Sequence, residues 1–260
     1  MTSAVSFSGL SYAYRTGGWS LRSCTGSVPK GSVTAVLGPN GCGKTTLLKL
    51  ILSLIKPMEG SLTVDGQTAL VPQIFKVAFA FAVLDMVLMG RARKIGFFSQ
   101  PSGRDLQAAR QALDRVGLAH LERRSFHELS GGQRQLVILA RALVAEAEIL
   151  LMDEPTSALD LKNQDLVLRW MDRLTKKDGL TVIFTTHHPH HALAVADRAF
   201  LMLEEGVRLD GTAEQTLTAE NLRCLYGLPL QRLDFEYRGF KTSTITPVFL
   251  APEPSSPEVP

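Results

Sequence analysis

Short, nearly continuous apolar runs alternate along this chain with longer stretches of helical periodicity. Residues 32–37 (SVTAVL) form a run of small and β-branched residues after Lys30-Gly31, which reads as a buried strand. Residues 45–55 (TTLLKLILSLI) follow as an apolar helix that Pro57 and Gly60 should end. Residues 61–64 and 69–71 read as a pair of short strands joined around Asp65-Gly66. Residues 104–116 are amphipathic, with Leu106, Leu113 and Val116 on one side, and 133–145 form a second helix. Residues 149–152 are a wholly apolar strand. Residues 161–174 carry Val167, Trp170, Met171 and Leu174 at helical spacing, and 181–184 and 199–203 are further strands. Apolar strands separated by helices predict an α/β fold with a mostly parallel sheet covered on both faces. Residues 72–124 show no strand pattern and are expected to be a helical subdomain inserted into that sheet. Polar and apolar residues alternate over 234–250, predicting a terminal hairpin. The last ten residues, with four prolines and two serines, are expected to be disordered.

At 260 residues the chain fits one large α/β domain, or one domain with a small subdomain. Apolar residues at 45% and charged residues at 20% exclude a disordered chain. A net charge of +3 falls short of a protein that coats nucleic acid, so no nucleic-acid partner is expected, yet it suits an anionic ligand. Cys24, Cys42 and Cys224 are odd in number and form no CxxC pair, as in a cytosolic protein with reduced thiols. No secretory signal opens the chain. The most apolar stretch, 77–89, is interrupted by Asp85 and shorter than the roughly 20 residues that cross a bilayer. The chain is therefore expected to be soluble, reaching a membrane only through a partner.

Three local patterns carry chemistry. Gly38-Pro39-Asn40-Gly41-Cys42-Gly43-Lys44-Thr45 fits G-x-x-x-x-G-K-[ST] and lies between a predicted strand and a predicted helix. Its glycines let backbone approach phosphate oxygens, and the helix start adds a positive end. Lys44 brings a full charge to the β- and γ-phosphates, and the Thr45 hydroxyl can bind Mg²⁺. An exposed lysine on a glycine-rich turn is the plain alternative; the strand and helix flanks argue against it. Asp153 and Glu154 follow the apolar strand 149–152, and so stand at the carboxyl edge where α/β sheets bind ligands. Asp153 would hold Mg²⁺, and Glu154 would be the general base that polarises the attacking water. Ser130 and Gln133, in Leu129-Ser130-Gly131-Gly132-Gln133, have the S-x-x-Q spacing of a capping box at the head of an apolar helix.

That last run resembles the signature of the ATP-binding cassette (ABC) family. The resemblance spans about residues 11–227 and implies an ABC-type nucleotide-binding domain with the P-loop NTPase fold: a mostly parallel core sheet, an antiparallel β subdomain and a helical subdomain near 74–146. Residues 228–250 would be a C-terminal extension and 251–260 the tail. ATP and Mg²⁺ are the implied ligands, with Thr46 completing the phosphate loop. Two copies would pair head to tail, the Ser130–Gln133 segment of one facing the nucleotide held by Lys44 of the other. Tyr14 resembles the aromatic residue that stacks on adenine, with Tyr12 the competing candidate. Gln73 resembles the glutamine that touches Mg²⁺ and water and reports to the membrane partner. Ser157-Ala158-Leu159-Asp160 is similar to the loop that crosses the dimer, and His187 to the switch histidine that contacts the γ-phosphate.

Phe79 to Arg91 is similar to the FAxxVxDxVLMGR stretch of ATPases that serve metal-chelate, vitamin B12 and molybdate importers. Residues 153–165 and 184–187 resemble the ATPase of molybdate/tungstate importers in particular. The resemblance implies an importer subunit at the cytoplasmic face of the inner membrane. Its partners would be a dimeric integral membrane permease and, indirectly, a periplasmic or lipoprotein substrate-binding protein. Ferric chelates and molybdate or tungstate rank above zinc, manganese and vitamin B12 as cargo. A soluble cassette ATPase that acts as an assembly or scaffold factor is the rival reading. The tract His187-His188-Pro189-His190-His191 invites a metal site; with His187 claimed by the nucleotide and no Cys or Asp at ligand spacing, it is read otherwise.

Overall fold

The computed structural model describes residues 2–14, 18–73, 79–95, 99–203 and 208–250. Six strands form the main sheet in the order β5-β6-β7-β3-β8-β9: β3 Val33–Leu37, β5 Thr68–Val71, β6 Ile149–Met152, β7 Thr181–Thr186, β8 Arg198–Met202 and β9 Arg208–Thr212. The first five pair in parallel and β9 is antiparallel to β8. A second sheet, antiparallel and three-stranded, has the order β2-β1-β4, from β1 Ser3–Ala13, β2 Trp19–Pro29 and β4 Glu59–Val64. β10 Leu230–Tyr237 and β11 Phe240–Pro247 form a separate hairpin.

Strands β3, β6 and β7 are buried along their whole length between two cores. Val33, Ala35 and Leu37 of β3, Leu150 and Met152 of β6, and Val182 and Phe184 of β7 feed one core. The alternate residues Val36, Ile149, Leu151 and Ile183 feed the other, with Phe7, Leu10 and Leu21 of the antiparallel sheet and helix α1 (Lys44–Ile51). A parallel strand buried on both faces has no polar side to show.

Helices α2 Val83–Leu88, α3 Gly103–Arg115 and α4 Gly131–Leu143 lie between β5 and β6 in the chain. α5 Leu161–Asp178 and α6 Pro189–Val195 flank β7, and α7 Ala213–Thr216 and α8 Ala219–Tyr226 follow β9. Strand β11 packs on α6, with Ile245 only 1% exposed in the first core. The tip of the hairpin exposes Tyr237 and Phe240.

The structure corrects two expectations. The strands on either side of Asp65-Gly66 do not pair as a hairpin: β4 pairs with β1, while β5 runs parallel to β6 in the other sheet. Gly66, at φ 137°, separates them, and the Gln67 carbonyl accepts from the amides of Glu148 and Ile149. The buried β6 offers β5 a two-sided core, which a two-residue turn cannot match. Helix α1 stops at Ile51 rather than near residue 55, because Ser53 takes a left-handed φ of 57° and leaves Leu54 exposed. The expected tail, 251–260, lies outside the described residues.

The helical segment is locked to the core at Gly90, where a Cβ would stand 2.0 Å from the carbonyl oxygen of Arg141. Beside it, Arg91 pairs with Asp105 at 2.9 Å and also with Glu146, which joins Lys94. Hydrogen bonds from Ser102, with Arg91 beside it, hold the Asp105 carboxyl down at about 2. Gly90→Ala is expected to destabilise the fold by about 2 kcal/mol through overpacking. Calorimetry would read that as a thermal midpoint lowered by roughly 4–8 °C, and an unmoved midpoint would show that the helices part without cost.

Candidate functional site

The carboxyl ends of β3, β6 and β7 meet at one edge of the main sheet, and the loop 38–43 turns from β3 into α1 there. The turn needs glycine at position 43. Its φ is 99°, and a Cβ would fall 2.2 Å from the Ser20 carbonyl oxygen. The first amides of α1 have no partners within the helix and carry its positive end. Lys44 is 6% exposed, and its ammonium donates to the carbonyls of Gly38 and Pro39 at 2.8 and 3.0 Å.

Six further side chains converge beyond Lys44. The Thr45 hydroxyl donates to Asp153 Oδ2 at 3.0 Å. Glu154 Oε1 stands 3.8 Å from Lys44 Nζ. Glu154 Oε2 lies 3.2 Å from His187 Nδ1 and accepts from Gln73 Nε2 at 3.2 Å. Gln73 also donates to the Ser157 hydroxyl at 3.3 Å. A cleft of about 800 Å³ collects Tyr14, Asn40, Gly41, Gly43, Lys44, Thr45, Thr46, Gln73, Asp153, Glu154 and His187. Its size suits a nucleoside triphosphate. Thr45 and Asp153 offer only hard oxygen donors, side by side, and so fit Mg²⁺ rather than a soft metal.

The other expected residues are placed differently. Tyr14 lines the cleft, whereas Tyr12 packs against the second core with its ring edge to Tyr14. The Cys42 side chain also packs against that core, so only its backbone belongs to the loop's turn. Ser130 and Gln133 form the reciprocal capping box at the head of α4, the Gln133 amide donating to Ser130 Oγ at 3.3 Å, but neither residue lines the cleft. Gly131 and Gly132 share that helix start, with Gly132 against Asn163 of α5. Asp160 caps α5 by accepting from the Asn163 amide at 2.8 Å and is exposed.

Sequence reasoning missed Thr185. It is fully buried and donates to Asp153 Oδ1 at 2.7 Å, while the Glu154 amide donates to its hydroxyl at 2.9 Å. Glu154 has a left-handed φ of 43°, so this hydroxyl satisfies the amide of a strained residue. The pairing of Met152 with Phe184 sets Thr185 beside Asp153. The available signal was a hydroxyl residue closing an otherwise apolar strand.

A buried parallel strand, a glycine-rich turn into a helix and an acidic pair at the end of the next strand but one together define a P-loop nucleotide hydrolase. Comparison with known proteins narrows the class. Residues 21–157 match the model of the ABC transporter family. The chain is 42% identical over 238 residues to the molybdate import ATP-binding protein MolC of Haemophilus influenzae, covering 92% of this chain and 94% of that one. It is 38% identical over 221 residues to a protein of Helicobacter pylori described as a probable iron chelatin transport ATP-binding protein, covering 80% and 87%. A solved ABC transporter described as of the metal-chelate type, in an inward-facing conformation, superposes with a TM-score of 0.91 at 40% identity, over 96% of this chain and 99% of that one. The chain belongs to the ABC transporter family and is an ATP hydrolase.

Thr185→Val, which keeps shape and removes the hydroxyl, is expected to lower ATP turnover about ten-fold or more, the worth of a hydrogen bond to a charged group. Thr185→Ser should keep most of it. Steady-state phosphate release checks both, and equal rates for the Val and parent proteins would deny the hydroxyl any part.

Proposed function

We propose that this chain is the ATP-hydrolysing subunit of a binding-protein-dependent importer, which energises uptake of a metal chelate or oxyanion through a separate membrane permease. The cargo in this reading is a ferric chelate or molybdate/tungstate, supported by the likeness to the molybdate and iron chelatin ATP-binding proteins. The observation that carries the reading is the convergence of Lys44, Thr45, Gln73, Asp153, Glu154 and His187 on one cleft, while the capped start of α4 stands outside it.

In the proposed mechanism the loop from Gly38 to Thr46 cradles the phosphates and Lys44 neutralises the β- and γ-phosphate charge. Tyr14 stacks on adenine. Thr45 and Asp153, with Gln73 nearby, would hold Mg²⁺, which would supply positive charge against that of the phosphates. Glu154 accepts a proton from the water that attacks the γ-phosphorus, as the bond to the ADP oxygen breaks to give ADP and phosphate. His187, 3.2 Å from Glu154, contacts the γ-phosphate.

A second copy, arranged head to tail, would supply Ser130, Gly131, Gly132 and Gln133 to the same nucleotide. The loop reaching Asp160 would cross between the copies. ATP then binds the closed pair better than the open one, and this difference in affinity drives the motion. A solved dimeric ATP-binding cassette bound to ADP and phosphate, 26% identical with a TM-score of 0.70, supports the pairing.

A mainly apolar cleft of about 430 Å³, in which Asp85 and Ser99 join Leu88, Met89, Ala92, Ile95 and Pro101, supports a contact with that permease. Such a groove accepts a short amphipathic helix. Among the described residues no helix is long and apolar enough to cross a membrane, which fits a peripheral subunit at the cytoplasmic face of the inner membrane. In this reading residues 1–227 are the cassette, with its helical part near 74–146, and 228–250 an extension.

Glu154→Gln is expected to retain MgATP and lose turnover by about 100-fold or more, the usual worth of a positioned base, and to accumulate as a dimer in size-exclusion chromatography. Hydrolysis at the parent rate would refute the base. Lys44→Ala should weaken nucleotide binding at least about ten-fold, measured by titration with a fluorescent ATP analogue. Membrane co-purification with a permease separates the importer from a soluble assembly factor, and recovery without any permease would favour the latter.

A further inference from the structure

The histidine tract at 187–191 is only partly used by the nucleotide cleft. His187 faces Glu154, but His191 does not line the cleft and is 4% exposed. Its ring is held from both sides. Nδ1 lies 3.1 Å from the hydroxyl of Thr156, itself 3% exposed, and Nε2 lies 3.2 Å from Gln164 Oε1. The Gln164 amide nitrogen donates to the Leu159 carbonyl at 2.9 Å and to the Thr156 carbonyl at 3.4 Å. Those two carbonyls orient the amide, so its oxygen accepts. His191 Nε2 therefore carries the hydrogen, and Nδ1 accepts from Thr156. The arrangement requires a neutral ring. Burial, helped by His190, His188 and His187, holds the His191 imidazole down at about 4.

The loop between the acidic pair and α5 has little backbone bonding of its own. Ser157 donates its amide to the Glu154 carbonyl, and Leu159 donates to that of Thr156, both at 3.2 Å. Asp160 caps α5 at the loop's end, and the other side-chain ties to the neighbouring helices run through His191 on α6 and Gln164 on α5. Helix α6 begins at Pro189, directly after His187-His188 at the end of β7. One short, packed piece of chain thus joins the group beside Glu154 Oε2 to the loop carrying Ser157 and Asp160.

We propose that His191 is a positioning residue that clamps loop 156–160 to helix α6, keeping that loop in register with Glu154 and His187 during ATP hydrolysis. This rests on the reading of Glu154 as the base. An apolar ring at 191 would leave the buried Thr156 hydroxyl and the half-buried Gln164 oxygen unmatched, and the loop would move to satisfy them. Ser157, which reaches both Gln73 and the Glu154 carbonyl, moves with the loop. Small displacements of positioning groups cost rate far more than affinity.

The test uses the full chain with His191→Phe, His191→Gln and Gln164→Leu, read as kcat and KM for MgATP beside the thermal midpoint. His191→Phe is expected to lower kcat about ten-fold, the cost of a lost buried hydrogen bond, with KM within about two-fold of the parent. His191→Gln, which offers one donor and one acceptor, should restore most of kcat, and Gln164→Leu should repeat the loss. A folded His191→Phe protein that turns over at the parent rate overturns the clamp. So does a loss that Gln fails to restore while Gln164→Leu is silent. Should His191→Phe not fold, Gln164→Leu and Thr156→Val carry the same readout, each opening one side. Glu154→Gln, measured alongside, separates the two ideas. If it turns over normally the base assignment fails, whereas its loss with silent clamp variants defeats the clamp alone.

Discussion

Parallel pairing of β3, β6 and β7 is the constraint on which the site depends. Leu37 pairs with Thr186, and Met152 with Phe184, so three strands far apart in sequence end at one edge of the sheet. The residue after each strand inherits that edge: the glycine turn after β3, Asp153 and Glu154 after β6, His187 after β7. Because successive residues point to opposite cores, a one-residue slip of any strand would exchange its two buried faces. The apolar interdigitation of β3, β6 and β7 therefore fixes the spacing of Lys44, Asp153 and His187 more firmly than their own polar contacts do.

Charge is arranged around that edge with a definite asymmetry. Lys44 and Glu154 are 3.8 Å apart and both largely shielded from water, which strengthens their interaction over that of a surface pair. Each also has other partners. The loop carbonyls take the Lys44 ammonium, and Gln73 and His187 reach the Glu154 carboxylate. A site whose polar groups are already satisfied by short-range neighbours can exchange those neighbours for phosphate oxygens at little net cost, as an anion receptor must. Thr185 belongs to a different layer: it does not line the cleft, and its hydroxyl supports Asp153 and the backbone of Glu154 in its left-handed conformation.

The segment between β5 and β6 is tied to the sheet at both ends. Gln73 reaches from the end of β5 into the cleft at the carboxyl edge, and the Arg91, Asp105 and Glu146 cluster ties α2 and α3 to the chain entering β6 at its amino end.

Periodicity and spacing made much of this legible. The alternation of apolar runs with helices was enough for the sheet, since doubly buried strands have no other composition. The loop 38–45 and the acidic pair stood out because a tight turn into a helix demands glycine and two adjacent carboxylates end an otherwise apolar run. The capping box at Ser130 and Gln133 was readable because its two hydrogen bonds are local. What the sequence left open depended on contacts between distant segments. Whether Tyr12 or Tyr14 faces the cleft was decided by the packing of the antiparallel sheet. That β4 and β5 part company at Gly66 was decided by the space beside β6. That Thr185 supports Glu154, and His191 holds Thr156 and Gln164, was decided by strand register and helix placement. A buried hydroxyl or imidazole acquires its role from the neighbour that folding brings to it, and local sequence does not contain that neighbour.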